Sequence, residues 1–149
     1  MKILILNGPN INFLGIREKE IYGKETYESI CNYILNTFEE TDVEIDILQS
    51  NIEGEMINIL QKAYFEKYDG IVINPGAYTH TSIALFDAIK SIEIPTVEVH
   101  LSNIHQREEF RHKSFTAPAC IGQICGFGKE GYILAVEGLI VHIKDKENF

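Results

Sequence analysis

The sequence predicts an α/β fold, a flavodoxin-like three-layer sandwich with a five-stranded parallel sheet. Short apolar runs rich in β-branched residues recur along the chain and stop at Asn, Gly or Pro. Amphipathic segments of helical period separate them, and this alternation marks parallel strands joined by helical crossovers. The 149 residues suit one domain, 1–149, that buries roughly two-thirds of its unfolded surface.

Residues 2–6 are the first strand, ended by Asn7-Gly8-Pro9-Asn10; so uniform an apolar run suits a strand covered on both faces. After Thr26, the residues Tyr27, Ile30, Cys31, Ile34, Leu35 and Phe38 fall at helical spacing and leave Glu28, Asn32, Asn36 and Glu39 for solvent. Residues 43–48 alternate Val43, Ile45 and Ile47 with acidic residues as a second strand. Ser50-Asn51-Ile52-Glu53 then has capping-box spacing ahead of a helix through Met56, Ile57, Leu60, Ala63 and Tyr64. Residues 70–73 form a third strand that stops at Asn74-Pro75-Gly76, and a helical pattern follows over 81–92 through Ala84, Leu85, Ala88, Ile89 and Ile92. Thr96–His100 is the fourth strand, with Pro95 tolerated at its start because the first position can do without a ladder donor. A short polar helix over 104–111, a fifth strand within 119–126 and a last helix over 132–143, too short to cross a bilayer, complete the series.

The composition, 45% hydrophobic and 23% charged, is that of a globular protein. A formal charge of −9 with thirteen scattered Lys and Arg opposes a phosphate backbone, so no nucleic-acid partner is expected. A small anionic substrate stays open, because a few arginines set the field inside a cleft. The opening apolar run is too short for a signal peptide or a membrane span, so the protein is expected to be cytoplasmic, with no membrane partner. Cys31, Cys120 and Cys125 are an odd number without a Cys-x-x-Cys pair and read as packed thiols, not disulfides or zinc ligands.

Open parallel sheets bind ligands beyond the carboxyl ends of their strands. Three polar loops converge on that rim: residues 7–10, residues 74–80, and His100-Leu101-Ser102-Asn103. The first lacks Gly-x-Gly-x-x-Gly, which disfavours a dinucleotide, and Asn7 and Asn74 stand where a phosphoacceptor domain would carry aspartates. Gly122, Gly126 and Gly128 are assigned to close helix-to-sheet packing. His80 and His100 have no third ligand at convincing spacing, so no metal is expected.

Residues 15–23 are a polar loop bounded by glycines, suited to a lid or simply to solvent. It holds Arg17 and Tyr22, and a free tyrosine, with a pKa of about 10, needs a close cation to serve as a base near neutrality. Glu98 and His100, two apart on a strand, share a face, so the carboxylate can orient the imidazole; a core histidine satisfied by an acid reads the same way. Arg107 and Arg111, four apart on a helical turn, face an anion together or pair with Glu108 and Glu109 at the surface.

Jointly these segments resemble the type II 3-dehydroquinate dehydratases. The motifs Asn7-Gly8-Pro9-Asn10, Leu14-Gly15-Ile16-Arg17-Glu18, Tyr22-Gly23, the run from Asn74 through Ser82, Glu98-Val99-His100-Leu101-Ser102-Asn103 and Arg107-Glu108-Glu109-Phe110-Arg111 follow in order. The resemblance implies a hydro-lyase, free of cofactors, that converts 3-dehydroquinate to 3-dehydroshikimate through an enolate in the shikimate pathway of chorismate and aromatic amino acid biosynthesis. Tyr22 would be the base beside the ketone, with Arg17 favouring its ionised form and stabilising developing charge. Asn10 would help hold a water on the enolate oxygen, and His100, oriented by Glu98, would protonate the departing hydroxyl. Asn74 and the backbone amides of Leu101 and Ser102 would hold the substrate carboxylate, His80 and Arg111 the ring hydroxyls, and Arg107 would support the site electrostatically. A homododecamer built from trimers is also implied, with Asp87 reaching a neighbour's site. Ile11 and Phe13 replace leucines common in the family, and Phe86 replaces a frequent arginine, which bears on the contacts between trimers.

Two rivals stand beside this reading. Schiff-base dehydration needs a desolvated lysine, and every lysine except Lys2 falls in a polar loop, on a helix face or at a terminus. A non-catalytic flavodoxin-like binding module or assembly subunit would need neither Tyr22 nor His100.

Overall fold

The computed structural model describes residues 1–149. Its strands are β1 (Lys2–Asn7), β2 (Glu44–Gln49), β3 (Gly70–Asn74), β4 (Thr96–His100) and β5 (Gly122–Cys125), all parallel in the order β2-β1-β3-β4-β5. This is the flavodoxin-like order, and the reversal of winding between β1 and β3 opens a crevice beyond their carboxyl ends. Helix α1 (Lys19–Tyr22) is a single turn inside the 15–23 loop; α2 (Tyr27–Phe38), α3 (Glu53–Phe65), α4 (Ile83–Ile92) and α5 (Glu130–Glu147) form the outer layers.

Because β1 is apolar from Ile3 to Leu6, its residues divide between two cores. Ile3 and Ile5 pack with Val72, Val97, Val99 and the helices α2 and α5 through Ile34, Val136 and Leu139. Leu4 and Leu6 pack with Ile71, Ile73 and the helices α3 and α4 through Met56, Leu60, Leu85 and Ile89. The period of two makes one strand serve both faces. No helix is long and apolar enough to cross a membrane. The three cysteines are free and partly buried.

Several local expectations are corrected. The capping box at Ser50 does not form: Ser50 Oγ accepts from Ile52 N at 3.0 Å and donates to Glu55, and Ile52 caps α3 without a side-chain bond. Side-chain caps come instead from Thr26 on Ser29 N and Ser82 on Leu85 N, so α4 starts at Ile83, two residues after the expected position 81. The polar helix over 104–111 is two 3-10 turns, Ile104–Gln106 and Glu109–Arg111, interrupted by extended backbone at Arg107. β5 is shorter than expected because a 3-10 turn occupies Ala117–Ala119, and α5 is longer at both ends.

The packing role given to Gly122, Gly126 and Gly128 is also wrong for helix-to-sheet contact. Gly122 has open space where a Cβ would stand, and Gly126 and Gly128 serve left-handed turns at φ +92 and +55. Helix packing falls to Gly131, where a Cβ would meet Val99 at 3.0 Å, and to Gly70, where it would meet Leu139 at 3.2 Å.

Candidate active site

The loops after β1 and β3 interlock through their backbones. Gly8 N donates to Asn74 O at 2.7 Å. A Cβ on Gly8 would stand 2.6 Å from Pro75 O, and one on Gly76, at φ +58, 2.9 Å from Pro9 O, so only glycine allows this approach. Together with the loop after β4 they enclose a cleft of about 170 Å³.

Asn10, Arg17, Tyr22, Asn74 and His80 line this cleft, as do His100, Leu101, Ser102, Arg107 and Arg111. Of the residues singled out from the sequence, Glu98 lies behind His100, fully buried, and Asp87 is exposed on α4 away from the cleft. Three arginines and no carboxylate face the hollow, in a chain of net charge −9. The local field therefore suits an anion. A larger hollow at the opposite end of the sheet presents Glu40, Asp42, Asp69, Glu137 and Glu147 against Lys144, the wrong sign for one.

Tyr22 ends α1, its ring packed against the core and flanked by two guanidinium groups. Arg107 Nη1 donates to the Tyr22 hydroxyl at 2.6 Å, whereas Arg17 lies over the ring, 4.7 Å from its centroid. The arginine nearest in sequence is thus not the one that meets the oxygen. Arg107 reaches it because the break between the 3-10 turns turns its side chain inward, leaving it partly buried. Arg111 lines the same cleft and pairs with Glu108 at 2.8 Å, so the facing and pairing readings both hold for it.

His100 Nε2 lies 2.9 Å from Glu98 Oε2. Thr79, Ser114 and Thr116 direct hydroxyls at the same carboxylate, and Gln123 Nε2 donates to it at 2.6 Å. Burial alone would raise the Glu98 carboxyl, but His100 and the hydrogen-bond donors outweigh it and hold the group below the usual carboxylate range. An ionised carboxylate only accepts, so Nε2 carries the proton and Nδ1 is the ring's other nitrogen. His80 stacks on His100 with centroids 6.5 Å apart. Its Nδ1 lies 2.8 Å from Lys113 O and must donate there; burial lowers its pKa, so the neutral ring keeps Nε2 as an acceptor.

Asn7 and Asn74 end neighbouring strands in register, and Tyr132 of α5 bridges them beneath the cleft. Asn74 Nδ2 donates to the Tyr132 hydroxyl at 3.0 Å, which donates to Asn7 Oδ1 at 2.6 Å, while Gly76 N donates to Asn74 Oδ1. Burial pushes the Tyr132 hydroxyl well above the usual tyrosine range, so it stays a neutral donor. The Asn74 amide is left with one N–H to offer. The backbone N–H groups of Leu101 and Ser102 are likewise unengaged within the chain. Sequence reasoning gave no role to Tyr132, Thr79, Ser114, Thr116 and Gln123, since each stands far along the chain from the residue it serves, Thr79 included although it lies inside the 74–82 run.

Over residues 1–140 the chain matches the family model of class II dehydroquinases. It is 66% identical over 146 residues to a 3-dehydroquinate dehydratase of Clostridium perfringens (strain 13 / Type A), covering 98% of this chain and all of that one (100%). A 3-dehydroquinate dehydratase of Clostridium acetobutylicum is 68% identical over 139 residues, 93% of this chain and 96% of the relative. The crystal structure of type II dehydroquinase from Butyrivibrio crossotus superposes with a TM-score of 0.92 at 56% identity, covering 93% of this chain and 97% of that one.

Proposed function

The chain belongs to the class II dehydroquinase family, and from that premise we propose that it dehydrates 3-dehydroquinate to 3-dehydroshikimate through an enolate, with Tyr22 as base and His100 as acid. The observation that carries this reading is that a phenol held by a guanidinium and an imidazole backed by a carboxylate line one cleft. Membership of an enzyme family removes the non-catalytic binding module.

The substrate carboxylate is met by the remaining Asn74 N–H and by the free backbone N–H groups of Leu101 and Ser102. This leaves His80 Nε2 and the Arg111 guanidinium for ring hydroxyls. Tyr22 takes the proton from the carbon beside the ketone. The Arg107 guanidinium on its oxygen and the Arg17 guanidinium over its ring set positive charge around the phenol that acts as the base. The electron pair moves onto the ketone oxygen, where a water held by Asn10 stabilises the enolate. Collapse of the enolate expels the hydroxyl, which leaves as water with the proton of His100 Nδ1. Glu98 stabilises the imidazolium before that transfer, and a proton passed from Tyr22 to His100 through solvent resets the site.

Asp87, exposed on α4, is proposed to complete a neighbour's cleft in a homododecamer built from trimers, and aromatic amino acid biosynthesis is the proposed pathway. Adding 3-dehydroquinate to the folded protein should produce the ultraviolet absorbance of a conjugated enone. A flat trace would overturn the assignment.

A further inference from the structure

We propose that Ser114, Thr116 and Gln123 are positioning residues for the acid step: with Thr79 they saturate the Glu98 carboxylate, which holds His100 with Nε2–H on Glu98 and Nδ1 toward the cleft. This rests on the reading of His100 as the acid.

Glu98 has no exposed surface. A buried charge is tolerated only when both oxygens find donors. Oε1 faces the hydroxyls of Thr116 and Thr79, and Oε2 faces His100 Nε2, Ser114 Oγ at 3.0 Å and Gln123 Nε2 at 2.6 Å. The three hydroxyls also touch one another, and Ser114 Oγ accepts from Ala117 N. Each hydroxyl has one proton and also accepts, so the three form a chain of donors that ends on Glu98, the acceptor-only group they surround.

Each donor is placed by local structure. Gln123 is the register partner of Glu98 across β4 and β5, which puts both side chains on one face. Ser114 and Thr116, two apart, follow the turn ending at Arg111, and Phe115 N between them donates to Thr79 O at 2.7 Å. The segment carrying Arg111 into the cleft therefore also carries two of the carboxylate's donors. The remaining titratable groups around the pair are His80 stacked on His100, Arg107 and Arg111 lining the cleft, and Cys120 and Cys125 near the carboxylate. Burial keeps both thiols neutral, so no other anion competes for these donors.

If the donors are lost, the proton shared by Glu98 and His100 shifts toward the carboxyl, and His100 meets the leaving hydroxyl uncharged. Thr116→Val and Gln123→Met should each lower kcat by about tenfold to a hundredfold, the range for one charge-assisted hydrogen bond, with KM within about threefold. Deuterium exchange from solvent into the carbon beside the ketone should persist, because the base is untouched, and Thr116→Ser should restore most of kcat. Gln123→Met, on the edge strand, covers the case in which Thr116→Val does not fold. Folded variants with kcat within about twofold of the starting protein would overturn the proposal, as would equal loss of exchange and dehydration. His100→Ala, run in parallel, separates the two readings: if it dehydrates normally, the acid assignment itself fails.

Discussion

Arg107 donates a hydrogen bond of 2.6 Å to the hydroxyl of Tyr22 from 85 residues away in sequence. Arg17, five positions from Tyr22, instead covers the ring face, with its Nε buried and unpartnered. The two cations therefore act at different places on one phenol.

Arg107→Ala is expected to lower kcat by about two orders of magnitude, the usual cost of removing one preorganised donor from developing charge. Arg17→Ala should also reduce kcat more than it raises KM, because it too acts on charge that forms during reaction. Steady-state kinetics on both variants decides the matter. Normal turnover in Arg107→Ala would mean that Arg17 alone activates the base, or that Tyr22 is not the base.

Acid should weaken the fold through Glu98. Its carboxyl is raised by burial but held below the ordinary range by His100 and the surrounding donors, so the native state favours the ion more than the unfolded chain does. That stabilisation is fully present above the unfolded value of about 4.3 and is lost as pH falls through the lower native value. Glu98→Gln should thus unfold at lower urea than the parent at pH 7, with the gap narrowing below about pH 4. A gap independent of pH would show that the loss is one of packing.

Removing the Tyr132 hydroxyl strips two hydrogen bonds from a buried site, taking the partner from Asn7 Oδ1 and from one N–H of Asn74. Tyr132→Phe should cost about 1–3 kcal/mol of stability. It should also raise KM more than it lowers kcat, since the Asn74 amide loses the contact that orients it toward the substrate carboxylate. Unchanged KM in the folded variant would separate Asn74 from binding.

Asp87→Asn should weaken substrate binding, and mixing it with an inactive Tyr22→Phe subunit should restore some activity by complementation. Sedimentation of the active species provides the check. A fully active monomer would rule out a shared site.

Borohydride added with substrate should leave activity intact. No lysine lines the cleft, so no imine can form there to be trapped. Mass spectrometry showing a substrate adduct on any lysine would contradict the enolate route.

The alternation over residues 43–48 and the helical spacing from Tyr27 to Phe38 report which way each side chain faces, and this is a local property. It was enough to place the strands, to assign a flavodoxin-like sheet, and to put Glu98 and His100 on one face of β4. With the rule that ligands bind beyond strand ends, it also located the rim. Periodicity carries no information about which remote segments meet. The Tyr22 oxygen finds Arg107 and not Arg17 because the chain breaks between two 3-10 turns at a residue the pattern read as mid-helix. Gln123 reaches Glu98 only through the register of β4 with β5, and Tyr132 reaches Asn7 and Asn74 only because α5 packs over β3 and β4. Those meetings follow from sheet order, register and layer packing, which arise when the whole chain closes around its two cores.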